Sequence, residues 1–258
     1  MGESESSIHP YDLHVGRYGR QLAEGLIRGA GVTDMGRVVD VGCGTGQLAA
    51  KLAELVGAER VSGIDPNEAV VAVARDRVPG ADIRVGSAEA LPFADKSFDA
   101  ALAQLVVNLV GDPPLAVREM ARVTKPSGVV AACFWDDEAM PLLRSFWDAA
   151  QAAAPTELAD VDADAQVGLA DVGVLIEWWE QAGLRAIELG DFEVTASYRD
   201  FDDLWAAFDA GVGHSGSLYV SLDPAQQISL REDAYEQLGS PRGPFELAAR
   251  VRWVRGLA

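Results

Sequence analysis

Apolar residues follow two rhythms along this chain. Short runs at 37–41, 60–64, Asp82–Val85, Phe98–Gln104 and 129–135 read as strands, several of them apolar nearly throughout, as strands covered on both faces are. Between them, apolar positions recur every three or four residues. Leu48, Leu52, Leu55 and Val56 predict one helix, and Val70, Ala74 and Val78 predict another that Pro66-Asn67 opens and Pro79-Gly80 stops. Asp112-Pro113, a cap followed by a proline, starts a helix reaching Arg122. Upstream, Leu22, Leu26 and Ile27 predict helix within 11–31. Strand and helix alternate to residue 135, which predicts an α/β fold with a mostly parallel sheet covered on both faces.

After Trp135 the rhythm breaks. Residues 138–154 read as helix, and 155–171 as an acidic, alanine-rich loop. Val172–Gln181 reads as helix, 185–196 as a long strand, 199–240 as helices around a glycine-rich link, and 245–253 as the last strand. Without an internal repeat or a low-complexity linker, the expectation is one domain over 9–258. It comprises a helical lid at 9–31, a core at 32–135, and cap insertions at 136–170 and 199–240, after a disordered tail at 1–8.

The chemistry concentrates in Val38-Val39-Asp40-Val41-Gly42-Cys43-Gly44-Thr45-Gly46. An apolar strand carrying an acid enters a turn with glycine at alternate positions, and a helix follows at once. Glycine is needed wherever backbone takes positive φ or approaches a ligand, and the helix N-terminus presents N–H groups over the turn. Dinucleotide folds use G-x-G-x-x-G, whereas the spacing here is G-x-G-x-G with Gln47 at the third glycine's place. Asp40 favours a cationic ligand over a pyrophosphate. Asp65, ending the second strand after the glycine turn, suits a ribose diol, a reading NAD enzymes would share, with a helix cap as the alternative.

Asp-x-Gly-x-Gly-x-Gly resembles the first motif of class I S-adenosylmethionine (SAM) methyltransferases. A second resemblance runs through Val85-Gly86-Ser87-Ala88-Glu89 and on through Leu91-Pro92-Phe93 to Ser97-Phe98-Asp99, like the small-molecule branch that includes ubiquinone and menaquinone methyltransferases. Ser87 stands where that branch has an acid. Lys125-Pro126-Ser127-Gly128 and Ala182-Gly183-Leu184 resemble its later turns. The resemblance implies a Rossmann-like fold with strand order 3-2-1-4-5-7-6, strand seven antiparallel. It implies SAM as cofactor, S-adenosylhomocysteine as product, and a small-molecule acceptor methylated by in-line displacement. Implied cofactor-binding residues are Arg17, Tyr18, Asp40, Gly42, Cys43, Gly44, Gly46, Asp65, Pro66, Ser87, Ala88, Glu89, Gln104 and Leu105. Trp135, Asn108 and Trp205 are candidates for acceptor binding, and His14, Asn108 and His214 for catalysis. A nicotinamide-dependent oxidoreductase and a non-catalytic SAM-binding protein remain alternatives.

Composition narrows the partners. Asp and Glu number 40 against 21 Lys and Arg, a net charge of −19, which repels nucleic-acid backbones. No apolar run is long enough to span a membrane. Cys43 and Cys133, on strands expected to be about 10 Å apart with one strand between them, are too distant for a disulfide and fit a cytoplasmic enzyme. No metal-ligand spacing is present, and a homodimer is left open.

Overall fold

The computed structural model describes residues 15–34, 36–159 and 172–258. Its helices in chain order are α1 (Gly19–Ala30), α2 (Gln47–Val56), α3 (Glu68–Arg77), α4 (Pro113–Val123), α5 (Pro141–Ala153), α6 (Pro155–Ala159), α7 (Val172–Gln181), α8 (Phe201–Asp209), α9 (Gly213–Ser221) and α10 (Pro224–Gln237). The strands are β1 (Val38–Val41), β2 (Val61–Asp65), β3 (Asp82–Val85), β4 (Phe98–Gln104), β5 (Thr124–Trp135), β6 (Arg185–Tyr198) and β7 (Phe245–Leu257).

All seven strands form one sheet in the order β3-β2-β1-β4-β5-β7-β6, as the resemblance implied. β1 to β5 are parallel, and β7 runs antiparallel to β5, from Val129 opposite Leu257 to Trp135 opposite Val251. Chain order reverses between β1 and β4, where Asp40 sits level with Gly63 on one side and Leu102 on the other. In sheets of this kind, ligands bind beyond the carboxyl ends of the strands at such a point.

The chain forms two compact units. Among the described residues, the first comprises 20–34, 36–139, 172–194 and 249–258, and the second 15–19, 140–159 and 195–248. The first unit is built on strand residues Val39, Val41, Ile64, Ala101 and Ala103, packed with Val117 and Met120 of α4 and with Leu175 and Trp179 of α7. The second packs aromatic rings: Phe146 of α5 stacks on Phe208 of α8 at 4.6 Å, and Trp205 lies 4.7 Å from Phe208. Its helix α10 opens on a capping box in which Asp223 accepts from the Ala225 and Gln226 amides.

Several local expectations change. On α2, Leu48, Ala49, Leu52 and Val56 are buried while Leu55 is 39 % exposed, so the covered stripe is narrower than its leucines suggested. The helix expected over 138–154 is a 3₁₀ turn, Asp137–Ala139, followed by α5 starting at Pro141, since proline fits a first helical turn but not an interior one. Residues Pro155–Ala159, read as loop from their composition, form α6, again led by proline. Lys125-Pro126-Ser127-Gly128 is an irregularity inside β5: Phe98 pairs with Thr124 but Ala100 with Val129, and Ser127 takes φ of 66°. The expected tail at 1–8 and the stretch 160–171 lie outside the described residues.

Candidate cofactor site

The turn after β1 is held in shape from beneath. Gly42 and Gly44 take φ of 73° and 50°, in the left-handed region that L side chains avoid. A Cβ on Gly42 would lie 2.3 Å from the Val106 side chain, whereas one on Gly44 would meet nothing within 4 Å. The turn is therefore closed on the Gly42 side and open at Gly44. Gly46 precedes α2 without a side-chain cap, so no acceptor of its own covers that helix start. The Gly42 and Cys43 amides both donate to the Ile64 carbonyl, at 2.8 and 2.9 Å.

Asp65 fastens three segments. Its Oδ2 accepts from the Gly44 amide at 2.9 Å, its Oδ1 from the Asn67 amide at 2.9 Å, and its carbonyl from the Gly86 amide at 3.0 Å. The cap of α3 is Asn67, whose side chain accepts from the Ala69 amide. The helix-cap alternative for Asp65 thus falls to its neighbour two residues on, across Pro66.

Asp40 lies under the turn, not at its mouth. It is 1 % exposed, and neither carboxylate oxygen has a hydrogen-bond partner. Burial pushes its pKa up to about 8; the nearby Ala49 amide opposes this, and the Asp65 charge, the smallest influence, adds to the rise. Near neutral pH the group is largely protonated, which removes much of the attraction for a cation that the sequence suggested. Cys43 and Cys133 are both unpaired, buried thiols. Desolvation raises both pKa values, that of Cys133 to about 12.

The segment after β3 folds onto itself. The Ser87 hydroxyl donates to Glu89 Oε2, the Glu89 amide donates back to Ser87 Oγ at 3.1 Å, and the Asp112 amide donates to Glu89 Oε1 at 3.0 Å. Glu89 is half-buried, not simply exposed, and these donors, Ser87 foremost, lower its pKa. Ala88 is buried beside it.

At the end of β4, Gln104 Oε1 is buried without a hydrogen-bond partner. Leu105 takes φ of 59°, rare for a leucine, and its amide donates to the Cys133 carbonyl at 3.0 Å. Asn108 is half-buried in a 3₁₀ turn, Val107–Leu109, beside a Leu109 that is 54 % exposed. Trp135 ends β5 and is buried.

The remaining candidates belong to the second unit. Arg17 makes a two-pronged contact with Asp203, at 3.0 and 3.2 Å, donates to the Ser197 carbonyl, and lies 4.8 Å from the centre of the Tyr198 ring. Tyr18 is fully buried, with its hydroxyl 3.4 Å from the Leu247 carbonyl it donates to. Trp205 packs against Phe146, Phe201, Phe208 and Tyr219, and its Nε1 has no hydrogen-bond partner. His214 is exposed near the start of α9. His14 lies outside the described residues, and no cluster suited to a metal is present among those described.

The structure therefore gathers Asp40, Gly42, Cys43, Gly44, Gly46, Asp65, Ser87, Ala88, Glu89, Gln104 and Leu105 along the carboxyl edge of β1 to β4. Supporting residues went unread in the sequence. Arg122 donates to the Leu91 and Phe93 carbonyls at 3.0 and 2.9 Å, while the Leu91 amide donates to Glu119 at 2.8 Å. Asp99 takes the Arg37 amide at 2.7 Å and Lys125 at 2.8 Å. The three-residue spacing of Glu119 and Arg122 on α4 is the available signal for the first pair; Asp99 and Lys125 each stand in a motif quoted above, but nothing in the sequence shows that they meet.

Residues 39–132 match a family model described as a methyltransferase domain. That segment is a methyltransferase domain. The chain is similar to a malonyl-[acyl-carrier protein] O-methyltransferase of Erwinia pyrifoliae, 35 % identical over 53 % of this chain and 51 % of that protein. It is similar also to a demethylmenaquinone methyltransferase of Chlorobaculum parvum, 39 % identical over 36 % of this chain and 38 % of that one. The chain spans about half, or less, of the length of the curated relatives it matches. Among solved structures, a Haemonchus contortus phosphoethanolamine N-methyltransferase bound to S-adenosylhomocysteine shares the fold, with TM-score 0.56 and 17 % identity, over 92 % of this chain and 52 % of that one. The Rossmann-like methyltransferase fold extends beyond the matched segment to the whole sheet.

Proposed function

We propose that this chain binds SAM at the carboxyl edge of β1 to β4 and transfers its methyl group to a small-molecule acceptor. The observation that carries the reading is the turn open at Gly44 and pinned by Asp65, next to a buried Gln104 Oε1 with no partner in the protein. An orphaned buried acceptor beside an open glycine turn suits a ligand with amine and hydroxyl donors, so the residues fit a SAM-like cofactor. The methyltransferase relatives favour this over a nicotinamide reading.

In this reading the open face of Gly44 admits close approach of the cofactor's backbone. Asp65, with one hydrogen bond on each oxygen, keeps further lone pairs for a ribose diol. Gln104 and Leu105 hold the methionine part, and Ser87, Ala88 and Glu89 the base. The bound cofactor supplies an electrophilic methyl on a sulfonium. The protein's task is to hold the acceptor in line and dry, which supplies about 7–11 kcal/mol of such a barrier. Asn108, in the turn after β4, and Trp135, at the end of β5, are the residues this reading assigns to the acceptor. Arg17 is left out of the cofactor set because Asp203 already takes its guanidinium. No general base is assigned among the described residues.

Calorimetry with SAM and S-adenosylhomocysteine tests the site, and release of S-adenosylhomocysteine across quinol, phenol, carboxylic acid and amine acceptors tests the reaction. Binding without turnover on any acceptor would favour a non-catalytic SAM-binding protein. No binding at all would end the proposal.

A further inference from the structure

Two arginines of β7 carry an inference that rests on the methyl transfer proposed above and names the acceptor's chemistry. β7 runs against β5 with Arg252 opposite Phe134, and the amide of Asp136, just past the end of β5, donates to the Arg250 carbonyl at 3.0 Å. Asp136, Arg250 and Arg252 therefore stand at the carboxyl edge of β5, the same edge of the sheet as the proposed cofactor site. In the strand order β7 lies two strands from β4, about 10 Å at the usual spacing, a gap that a small acceptor can bridge. Arg250, Arg252 and Val254 alternate onto one face of β7. Val254 and Phe134 lie in the core with Val117 and Met120 of α4, so the arginines share the face on which the turn carrying Asn108 leads into α4.

The two arginines are not equally engaged. Asp136 is buried, and its Oδ2 accepts from Arg252 Nε at 3.1 Å and lies 3.0 Å from a second Arg252 nitrogen. Those contacts commit the carboxylate and hold Arg252 in place. Arg250 approaches the same oxygen only to 3.7 Å, is exposed, and donates no side-chain hydrogen bond among the described residues. Its fork of donors is left for an incoming group, and a guanidinium takes carboxylate or phosphate oxygens through two parallel N–H bonds. A chain of net charge −19 repels anions at long range, so an anionic acceptor needs a local cation of this kind.

We propose that Arg250, seated beside the Arg252–Asp136 pair, binds an anionic group of the acceptor, a carboxylate or a phosphate, and so selects acidic acceptors over neutral ones. The group it holds is a handle and not the methylated atom, because a guanidinium draws charge from the oxygens it binds and leaves them poorer nucleophiles.

The test is calorimetry on the protein saturated with S-adenosylhomocysteine, titrated with small acids beside neutral counterparts: benzoate, 4-hydroxyphenylacetate and hexanoate each against its primary amide, and phenyl phosphate against phenol. At least one acid should bind roughly tenfold more tightly than its counterpart, the low end for a hydrogen bond to a charged group because Arg250 starts out in solvent. The carboxylate and phosphate pairs tell which anion is preferred. Arg250→Gln, at an exposed position where folding is not at stake, should bring the ratio to about one. Arg250→Lys, which keeps the charge but not the fork, should fall between. A ratio near one in every pair for the unsubstituted protein would overturn the proposal. So would a ratio that survives Arg250→Gln, including one in which acid and neutral counterpart weaken equally. If S-adenosylhomocysteine does not bind, the cofactor reading falls and this proposal with it; if it binds and the acids show no dependence on Arg250, only the role of Arg250 falls.

Discussion

The Gly44 amide donates to Asp65 Oδ2 at 2.9 Å across 21 positions of sequence. One bond thus joins the glycine turn to the acid that closes the next strand, so the residue proposed for ribose recognition also shapes the turn beneath the cofactor. Loss of Asp65 removes both at once.

Asp65→Ala removes a charged acceptor from one part-buried and one exposed amide, should cost about 1 kcal/mol of stability, and should weaken S-adenosylhomocysteine binding by more than tenfold. Asp65→Asn keeps one acceptor oxygen and should fall between the two. Urea unfolding with calorimetry on the same samples would check both effects. Unchanged affinity in Asp65→Ala would exclude it from the site.

Gly42 and Gly44 should respond differently to the same substitution. Gly44→Ala meets no atom and suffers only the left-handed backbone, a cost of about 1 kcal/mol. Gly42→Ala adds a Cβ 2.3 Å from the Val106 side chain and should cost about 3 kcal/mol or more, partly recovered in a Val106→Ala background. Gly44→Val should fold but lose cofactor binding by filling the open face. Thermal melts and calorimetry on these four proteins would separate strain from occlusion.

Asp40 gives stability a pH dependence of definite sign. Its pKa is about 8 in the fold against an ordinary value near 3.8, so the native state holds a proton that the unfolded chain releases. Its favourable contribution is complete below about pH 4 and is lost as pH rises toward 8. Relative to Asp40→Asn, the unsubstituted protein should lose up to about 1.4 kcal/mol per pH unit across that window. Unfolding of both proteins at pH 5, 6, 7 and 8 would show it. A constant difference would mean that Asp40 is ionised in the fold.

Arg17 and Asp203 join the first described turn of the chain to α8. Hydrogen bonds from Arg199 and Arg17 hold the Asp203 carboxyl well below the usual carboxylate range, so the pair stabilises above pH 4 and is lost as pH falls further. Solvent screens it, and Arg17→Met should cost only about 1 kcal/mol. Faster hydrogen exchange in the amides of residues 15–18 and 199–204 would mark the loss. Exchange unchanged there would mean that packing of Tyr18, not the ion pair, holds the segment.

Most of the sheet was legible because its strands advertise themselves. The run Val38-Val39-Asp40-Val41, turning through glycine into a helix, permits few other folds, and the motifs from Gly86 to Asp99 placed the next two strands. What stayed hidden depended on partners remote in sequence. Nothing near Asp40 tells whether its carboxyl faces solvent or lies under the turn; the packing of β2 and β4 on either side decides that. Nothing near Glu89 shows that it is tied to Asp112, which lies 23 positions on. Composition misled at 155–159, where alanine and acid suggested loop while a leading proline and good helix formers made a turn of helix.

Among the described residues the sheet ends at β6, a strand of 14 residues whose Glu188, Asp191 and Glu193 are exposed. An open border of that length is a template on which further strands of like kind could add without limit. Glu188 already pairs with Arg255 at 2.7 Å, while Asp191 and Glu193 would meet their like in such an addition. The same side chains that swell the chain's net charge thus guard it against fibre-like growth, and that protection lapses in acid, where carboxylates neutralise.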